Sequence, residues 1–313
     1  VRARDRLRDG VTEALRALGT GYLAHPGNAT LRDNLQSGVL TTQAYFEQLL
    51  RLVYRLIFLA TIEDRELVFA PGAADDAKAR YMAGYSLKRL RRLASRRRSH
   101  DRHADVWQGL TITFAGLGNG QAALGLPALG GLFAASQCPD LDAAQLDNAS
   151  LLSAIYSLCF FRDGAVLSRV NYRDMDSEEL GSVYESLLEL VPQISLSTGT
   201  RSFGFIGDEQ EGSTRGNARK LTGSYYTPTS LVEELIKSAL ESVIERTLRE
   251  HPQEPVQALL SLSVCDPACG SGHFLLAAAR RIAEEVARLN ATDGNPLPQD
   301  YRNALRDVIA HCI

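Results

Sequence analysis

The chain lacks any apolar run long enough to cross a bilayer. Its most apolar long stretch, Leu49 to Ala60, carries Arg51 and Arg55 and falls short of the roughly 20 residues that a spanning helix needs. The Arg-rich N-terminal residues lack an apolar h-region, so they are not expected to be a secretory signal peptide. The five cysteines (Cys138, Cys159, Cys265, Cys269 and Cys312) form no CxxC pair and no Cys/His array, so no metal site is expected. Their odd number and irregular spacing argue against a disulfide framework and suit a reducing cytoplasm. Positive charge is not in excess: the net charge is −3, and any contact with nucleic acid has to be local. Internal repeats and low-complexity tracts are also missing. Apolar and charged contents of 45% and 23% are those of an ordinary globular protein, and 313 residues allow two domains. Val1 stands where Met is usual and no polar tail precedes Ile313, which suggests a segment of a longer protein.

What is present is mostly helical pattern. Leu7, Val11, Leu15 and Leu18 share one face of a helix that Gly19 and Gly21 are expected to stop. Thr41 to about Leu67 predicts a long helix with Tyr45, Leu49, Leu52, Leu56 and Leu59 inward. A Pro/Gly/Ala segment from Ala70 to Ala74 breaks it, and a charge run follows from Lys88 to Arg102. Leu110 to Phe133 is glycine-rich and reads as loops around short helices. Leu141 to Phe161 reads as two more helices and Ser177 to Leu190 as another. Residues 196–220, rich in Ser, Thr, Gly and charge, read as a linker in which Arg201 to Ile206 could run extended. Thr227 suits an N-cap and Pro228 a first helical position. The helix they start has a broad apolar stripe: Leu231, Leu235, Ala239 and Val243 with Val232, Ile236 and Leu240. His251 to Pro255 ends it, and a last helix covers about Gln299 to Ile313.

Between these lie the nine most informative residues, Asp266-Pro-Ala-Cys-Gly-Ser-Gly-His-Phe274. They follow the apolar run Leu259 to Cys265, read as a strand, and open an apolar-periodic helix that continues to Asn290. Gly270 and Gly272 let the backbone bend and approach a ligand, and amides at a helix N-terminus favour a nucleotide-like cofactor. No Lys-Ser/Thr follows at Walker spacing. A third glycine is missing from the dinucleotide pattern. Asp266 would repel a pyrophosphate but accept a cofactor bearing an ammonium group, as S-adenosyl-L-methionine does. The plain alternative is a turn that only connects strand to helix. Thr222 to Pro228 also reads two ways, as a lid over the cofactor or as a capped helix start with apolar staples.

Gly223-Ser-Tyr-Tyr-Thr-Pro228 followed by Asp266 to Phe274 resembles motifs X and I of amino-directed DNA methyltransferases. The closer likeness is to adenine-N6 enzymes of the type IIG restriction–modification and phage-defence (BREX-like) kind. Leu52 to Leu59 with Glu63-Asp64-Arg65, and Leu180 to Leu188, look like the helical leader of that family, so the likeness runs from about Tyr45 onward. The resemblance implies a mainly α chain: a helical region over 1–195, the linker, and over 221–313 the start of a Rossmann-like α/β domain that uses S-adenosyl-L-methionine. It implies cofactor contacts by Tyr226, Thr227, Pro228, Asp266, Pro267, Ala268, Gly270, Gly272 and Phe274, with Cys269 and His273 at variable positions. Double-stranded DNA is the partner it implies.

The departures from that family matter as much. The catalytic Asn/Asp-Pro-Pro-Tyr/Phe tetrapeptide is absent, and Asn295-Pro-Leu-Pro298 is no substitute. No catalytic residue is therefore assigned to this chain, and a cytosine-N4 enzyme stays open. Val264, Leu275 and Ile282 are expected to lack neighbours, since a single strand makes no sheet. Asp76-Ala-Lys78 has nuclease-like local spacing but is read as a loop. Finally, Lys88, Arg89, Arg91, Arg92, Arg96, Arg97 and Arg98 could contact DNA phosphates. Leu87, Leu90 and Leu93 recur at helical spacing, so the plainer reading of the same run is a solvated helix face with Asp101 and Asp105 to pair. RNA is less suited, because no aromatics interleave the run. A non-catalytic helical module for DNA or a partner is the remaining alternative.

Overall fold

The structure, a computed structural model, describes residues 3–163, 166–175, 181, 187, 190–197, 199–206, 227–269, 272–291 and 294–313. It is mainly helical and divides into two units, Val1–Met175 with Ser186–Ala218 and Asp176–Glu185 with Arg219–Ile313. The helix expected over Ser177 to Leu190 lies for the most part outside the described residues.

The first unit is a helical layer. Helix α1 (Ala3–Ala24) runs straight through Gly19 and Gly21, which were expected to stop it. Both glycines are instead sites of close approach. A Cβ on Gly19 would lie 2.4 Å from Phe203, and one on Gly21 would lie 2.5 Å from Ser150. The cost of helical glycine, about 1 kcal/mol each, is offset by the packing that it admits. Helix α2 (Ala29–Ser37) leads to α3 (Thr42–Asp64), whose Thr41 cap accepts from the Ala44 amide. Tyr45, Leu49, Leu52, Leu56 and Leu59 are all buried, as their spacing requires. The segment Ala70–Ala74 does break the chain, but α4 (Asp75–Gly84) follows at once. Asp76 and Lys78 therefore sit in a helix, not in a loop, and pair with Arg80 and Asp75. Helix α5 (Leu87–Ala94) begins the charge run, and α6 (Asp105–Asn119) fills much of the stretch read as loops. The predicted pair of helices after Leu141 appears as α7 (Pro139–Ala143) and α8 (Asn148–Cys159).

Two antiparallel hairpins complete this unit. The first joins β1 (Phe160–Asp163) to β2 (Val166–Arg169). The second joins β3 (Pro192–Ser197) to β4 (Thr200–Phe205), with Ile194 opposite Phe203. Phe203 and Phe205 are buried and stack or meet edge-on with Tyr45 and Phe46. Phe203 and Phe205, within the stretch read as linker, thus pack into the core of the first unit. Phe203 and Phe205 alternate inward from β4, and each buried ring contributes roughly 1.5–3 kcal/mol of hydrophobic stabilisation.

The second unit starts with one helical run: α9 (Thr229–Leu235), a π turn (Ile236–Leu240) and α10 (Glu241–Glu250). Helices α11 (Pro255–Leu260), α12 (His273–Asn290) and α13 (Pro298–Cys312) follow. Their core gathers Ile244, Leu259, Ala279, Ile282, Ala283, Val286, Ala304 and Val308. Ile282 is fully buried, although the sequence suggested that it would lack neighbours; Val264 and Leu275 are half-buried. The apolar stripe of the first helix is only partly used. Val232 and Ile244 are buried, whereas Leu231 and Leu235 are 60% and 50% exposed.

The strand read over Leu259 to Cys265 does not form. Leu259 and Leu260 close α11, and residues 262–266 run without regular structure. A strand needs a paired neighbour, and no strand occurs in this unit among the described residues. The Val264 amide bonds the Cys312 carbonyl at 2.7 Å instead, which ties the segment to the end of α13.

Candidate cofactor-binding site

The local chemistry of Asp266 to Phe274 makes a turn and then a helix. Asp266 is half-buried, and its Oδ1 accepts from the Ala268 amide at 3.0 Å. This Asx-type bond satisfies the backbone where Pro267 offers no donor. Pro267, Ala268 and Cys269 are exposed. The Gly272 amide bonds the Cys269 carbonyl at 2.7 Å, and Gly272 accepts in turn from Leu276 at 2.8 Å. Gly272 has φ +76° and ψ 21°, a left-handed conformation that L side chains avoid. Among the described residues nothing lies within 4 Å of where its Cβ would be. Glycine is needed here for the backbone angle, and open space remains beside it. Phe274 is half-buried in the first turn of α12, edge-on to His273 with ring centroids 6.5 Å apart.

The other motif ends at a helix start. Pro228, not Thr227, holds the N-cap position, with ψ 141°. Its carbonyl takes the amides of Leu231 and Val232 at 2.9 and 3.3 Å. Proline already has an extended-compatible φ, so the helix begins one residue later than the cap pattern predicts. Tyr226 and Gly270 lie outside the described residues.

Thr229, next after Pro228, and His273, next after Gly272, line one groove of about 700 Å³. The two motifs, distant in sequence, thus send adjoining residues to one place. The groove runs between α9–α10 and α12, with Val232, Ile236 and Ala277 as apolar lining. Four carboxylates enter it, from Glu233, Glu241, Glu245 and Glu284, against Lys237, Arg280 and Arg281. Arg281 is forked onto Glu241: its Nε donates to Oε1, and Nη2 donates to Oε2 at 2.7 Å. Those bonds raise the Arg281 pKa, and burial works against them. The remaining groove charge is therefore tilted towards carboxylate. The π turn places Ile236 and Lys237 on this face, and such turns recur at ligand sites.

Sequence reasoning missed Glu233, Lys237, Glu241, Arg280, Arg281 and Glu284. Their signal was present only as helical spacing: Lys237 and Glu241, and Arg280 and Glu284, are each one turn apart. Among the described residues no cluster of His, Cys, Asp or Glu could hold a metal ion. Among the described residues no helix is long and apolar enough to cross a membrane.

The basic run of the first unit is divided by its helix. Leu87, Leu90, Arg91 and Ala94 are buried, whereas Lys88, Arg92, Arg96, Arg97 and Arg98 are exposed and Arg89 is intermediate. Arg91 cannot offer its charge at the surface: its Nη1 lies 2.8 Å from Asp64 Oδ1 inside the unit. Glu63-Asp64-Arg65 is a set of internal ties. Glu63 accepts from the Leu87 and Lys88 amides at 2.6 and 2.8 Å, which caps α5. Burial nonetheless raises the Glu63 pKa, while its bonds to Tyr81, Leu87 and Lys88 act the other way. Arg65 holds the carbonyls of Arg173 and Met175, both at 2.9 Å.

No curated protein and no solved structure matches this chain. Residues 212–295 match the family described as N-6 DNA Methylase, a stretch that contains both motifs and every residue that lines the groove, and the match supports a DNA methyltransferase.

Proposed function

We propose that this chain is a segment of a site-specific DNA methyltransferase of a restriction–modification or phage-defence system. The enzyme transfers a methyl group from S-adenosyl-L-methionine to the N6 amino group of adenine in double-stranded DNA, in the cytoplasm. The observation that carries the reading is that Thr229, next after the first motif, and His273, within the second, line one groove.

The residues present fit such a cofactor. Open space beside a left-handed Gly272 gives a backbone that a ligand can approach. With Arg281 paired to Glu241, the groove keeps three glutamates against Lys237 and Arg280, a balance that suits a cofactor with cationic groups better than a pyrophosphate. Asp266, Pro267, Ala268, Gly270 and Gly272 would wrap the cofactor, Tyr226, Thr227 and Pro228 would line its methionine end, and Phe274 would close the turn. When bound, S-adenosyl-L-methionine supplies an electrophilic methyl group. The chain's own part is to bind and orient, and the hydrogen bonds of Asp266 with Ala268 and of Gly272 with Cys269 support the two sides of the turn. The later part of such a domain would complete a Rossmann-like sheet.

The target base has to leave the duplex to be reached. The tetrapeptide that would hold its amino group does not occur in these 313 residues. We therefore expect cofactor binding without turnover. Isothermal titration with S-adenosyl-L-methionine should give a binding isotherm that S-adenosylhomocysteine competes and NAD does not. Absence of binding at millimolar cofactor would sink the reading, and transfer of labelled methyl to DNA by the chain alone would overturn the expected inactivity.

A further inference from the structure

We propose that the first unit carries its own binding surface for the phosphate backbone of double-stranded DNA, built from Lys88, Arg92, Arg96, Arg97, Arg98 and Arg102. All six are exposed. Residues 88–102 hold eight Lys and Arg and a single Asp, in a chain whose net charge is −3. The rest of the molecule is thus strongly negative, and the cationic patch is a local exception to it.

The carboxylates that could neutralise the patch are engaged elsewhere. Asp101 and Asp105 both accept from the Asn148 amide, at 2.7 and 2.8 Å. Asp101 also accepts from the His103 amide. Glu63 is committed to the α5 N-terminus, and Asp64 to Arg91 and Arg169. Among the described residues, none of the six cations has a carboxylate within ion-pair distance, although ion pairs are common elsewhere in the chain.

The patch is also held in shape. Lys88 and Arg92 stand one turn apart on the outer face of α5. The chain then tightens into a short 3-10 turn, Arg97–Ser99, closed by the Ser99 amide on Arg96 and the His100 amide on Arg97. The His100 ring bonds the Ala94 carbonyl at 2.9 Å, which folds that turn back onto the end of α5. Exposed cations without a carboxylate at ion-pair distance among the described residues repel one another and are stabilised by a polyanion. Arginine dominates the set, as suits recognition of phosphate. No Phe, Tyr or Trp lies within 88–102 to stack a splayed base, and the His100 ring is tied to the Ala94 carbonyl, which favours a duplex backbone over single strands. The choice of DNA as the polyanion rests on the function proposed above; the charge geometry does not.

The test is fluorescence anisotropy of the full chain with a labelled duplex of arbitrary sequence, over a salt series, without cofactor. We compare wild type, the triple variant Arg96→Ala, Arg97→Ala, Arg98→Ala, and a charge-matched control, Arg246→Ala, Arg302→Ala, Arg306→Ala, on exposed positions of the second unit. With each phosphate contact contributing about 0.9 to the slope of log K against log salt, the first triple should lower that slope by about 2.7 and weaken binding about tenfold or more near 0.1 M salt, the control by less than about twofold. Absence of duplex binding by wild type, equal effects of the two triples, or tighter binding of single-stranded RNA than of duplex would each overturn the proposal. Titration of S-adenosyl-L-methionine into the same proteins is unaffected by the patch, so failure of the cofactor reading registers separately.

Discussion

Arg91 and Asp64 are joined inside the helical unit, Nη1 to Oδ1 at 2.8 Å, with side chains only 5% and 14% exposed. The same oxygen takes Arg169 at 2.7 Å, and the Arg91 guanidinium lies 5.9 Å from the ring centre of Tyr172. One arginine of a basic run is thereby withdrawn into the core while its neighbours face water. The division follows from the helical period, which sets Arg91 on the face of Leu87, Leu90 and Ala94.

Removal of Asp64 should leave the Arg91 charge buried and unpaired. Asp64→Ala is expected to cost about 3–5 kcal/mol, the range for breaking a buried pair. Arg96→Ala, at an exposed site, should stay within about 0.5 kcal/mol. Trp107 is the single tryptophan, buried in the first unit with its Nε1 on the Ala144 carbonyl, so its fluorescence during urea unfolding reads this unit alone. Similar midpoints for the two variants would contradict the assigned tie.

The glycines of the helices should divide by their surroundings. Gly19→Ala forces a methyl against Phe203, and overpacking of this kind costs about 1–3 kcal/mol. Gly109→Ala, inside α6 with nothing within 4 Å, should stabilise by about 0.5–1 kcal/mol through helix propensity. Trp107 fluorescence reads both; stabilisation by Gly19→Ala would mean that Phe203 does not pack there.

At the cofactor turn, Gly272→Ala places a side chain at φ +76°. Strain of about 1–2 kcal/mol is expected, with faster amide exchange at the start of α12 and weaker cofactor binding. Exchange unchanged from wild type would show that Gly272 does not require the left-handed angle.

Two glutamates should respond to pH with opposite sign. Glu285 is bonded by Arg288 and lies 3.7 Å from Arg281; those partners hold its pKa below the ordinary 4.5. Its stabilisation is full above that ordinary value and is lost as pH falls through the depressed one. Burial raises Glu63 above 4.5. Its contribution is full below the ordinary value and is lost as pH rises through the raised one. Acidification from about pH 6 to pH 3 should first favour the Glu63 region and later loosen α12. Amide protection of α5 and α12, corrected for intrinsic exchange, measures this; Glu285→Gln should remove the acid loosening of α12, and unchanged loosening would refute it.

The thiols should separate by burial. Cys138 and Cys159 are buried, with pKa values pushed up to about 11, and burial also raises Cys312. Cys265 and Cys269 are exposed. Titration of the native chain with a disulfide reagent near pH 8 should find two fast thiols, and three more only on unfolding. A third fast thiol would contradict the burial.

Much of the fold was legible in the sequence where apolar period and length agreed. The long α3, the break at Ala70–Ala74, the pair α7 and α8, and the last helix all follow from spacing. Gly19 and Gly21 were misread because local propensity disfavours glycine in helices, and only the partner surfaces of Phe203 and Ser150 explain them. The part of the hairpin from Leu196 on looked like linker, with only Arg201 to Ile206 read as extended, because its polar residues outnumber the two phenylalanines that anchor it. The predicted strand before the turn failed for the opposite reason: its apolar residues suit a strand, but a ladder is a pairing, and no partner strand is present among the described residues. At the site, the glycine turn was legible because a left-handed angle demands a residue type. The charged lining of the groove was not, since glutamates and arginines on helices read as solvated faces until another helix packs beside them.

The sequence by itself determined the helical character, the two motifs and the need for glycine at Gly272, because these depend on residues near one another in the chain. Only the tertiary structure decided that Arg91 is buried, that Glu63-Asp64-Arg65 are internal ties, and that Thr229 and His273 share a groove. Those outcomes depend on which surfaces meet, and burial and Coulomb energy belong to pairs of residues that the sequence leaves far apart.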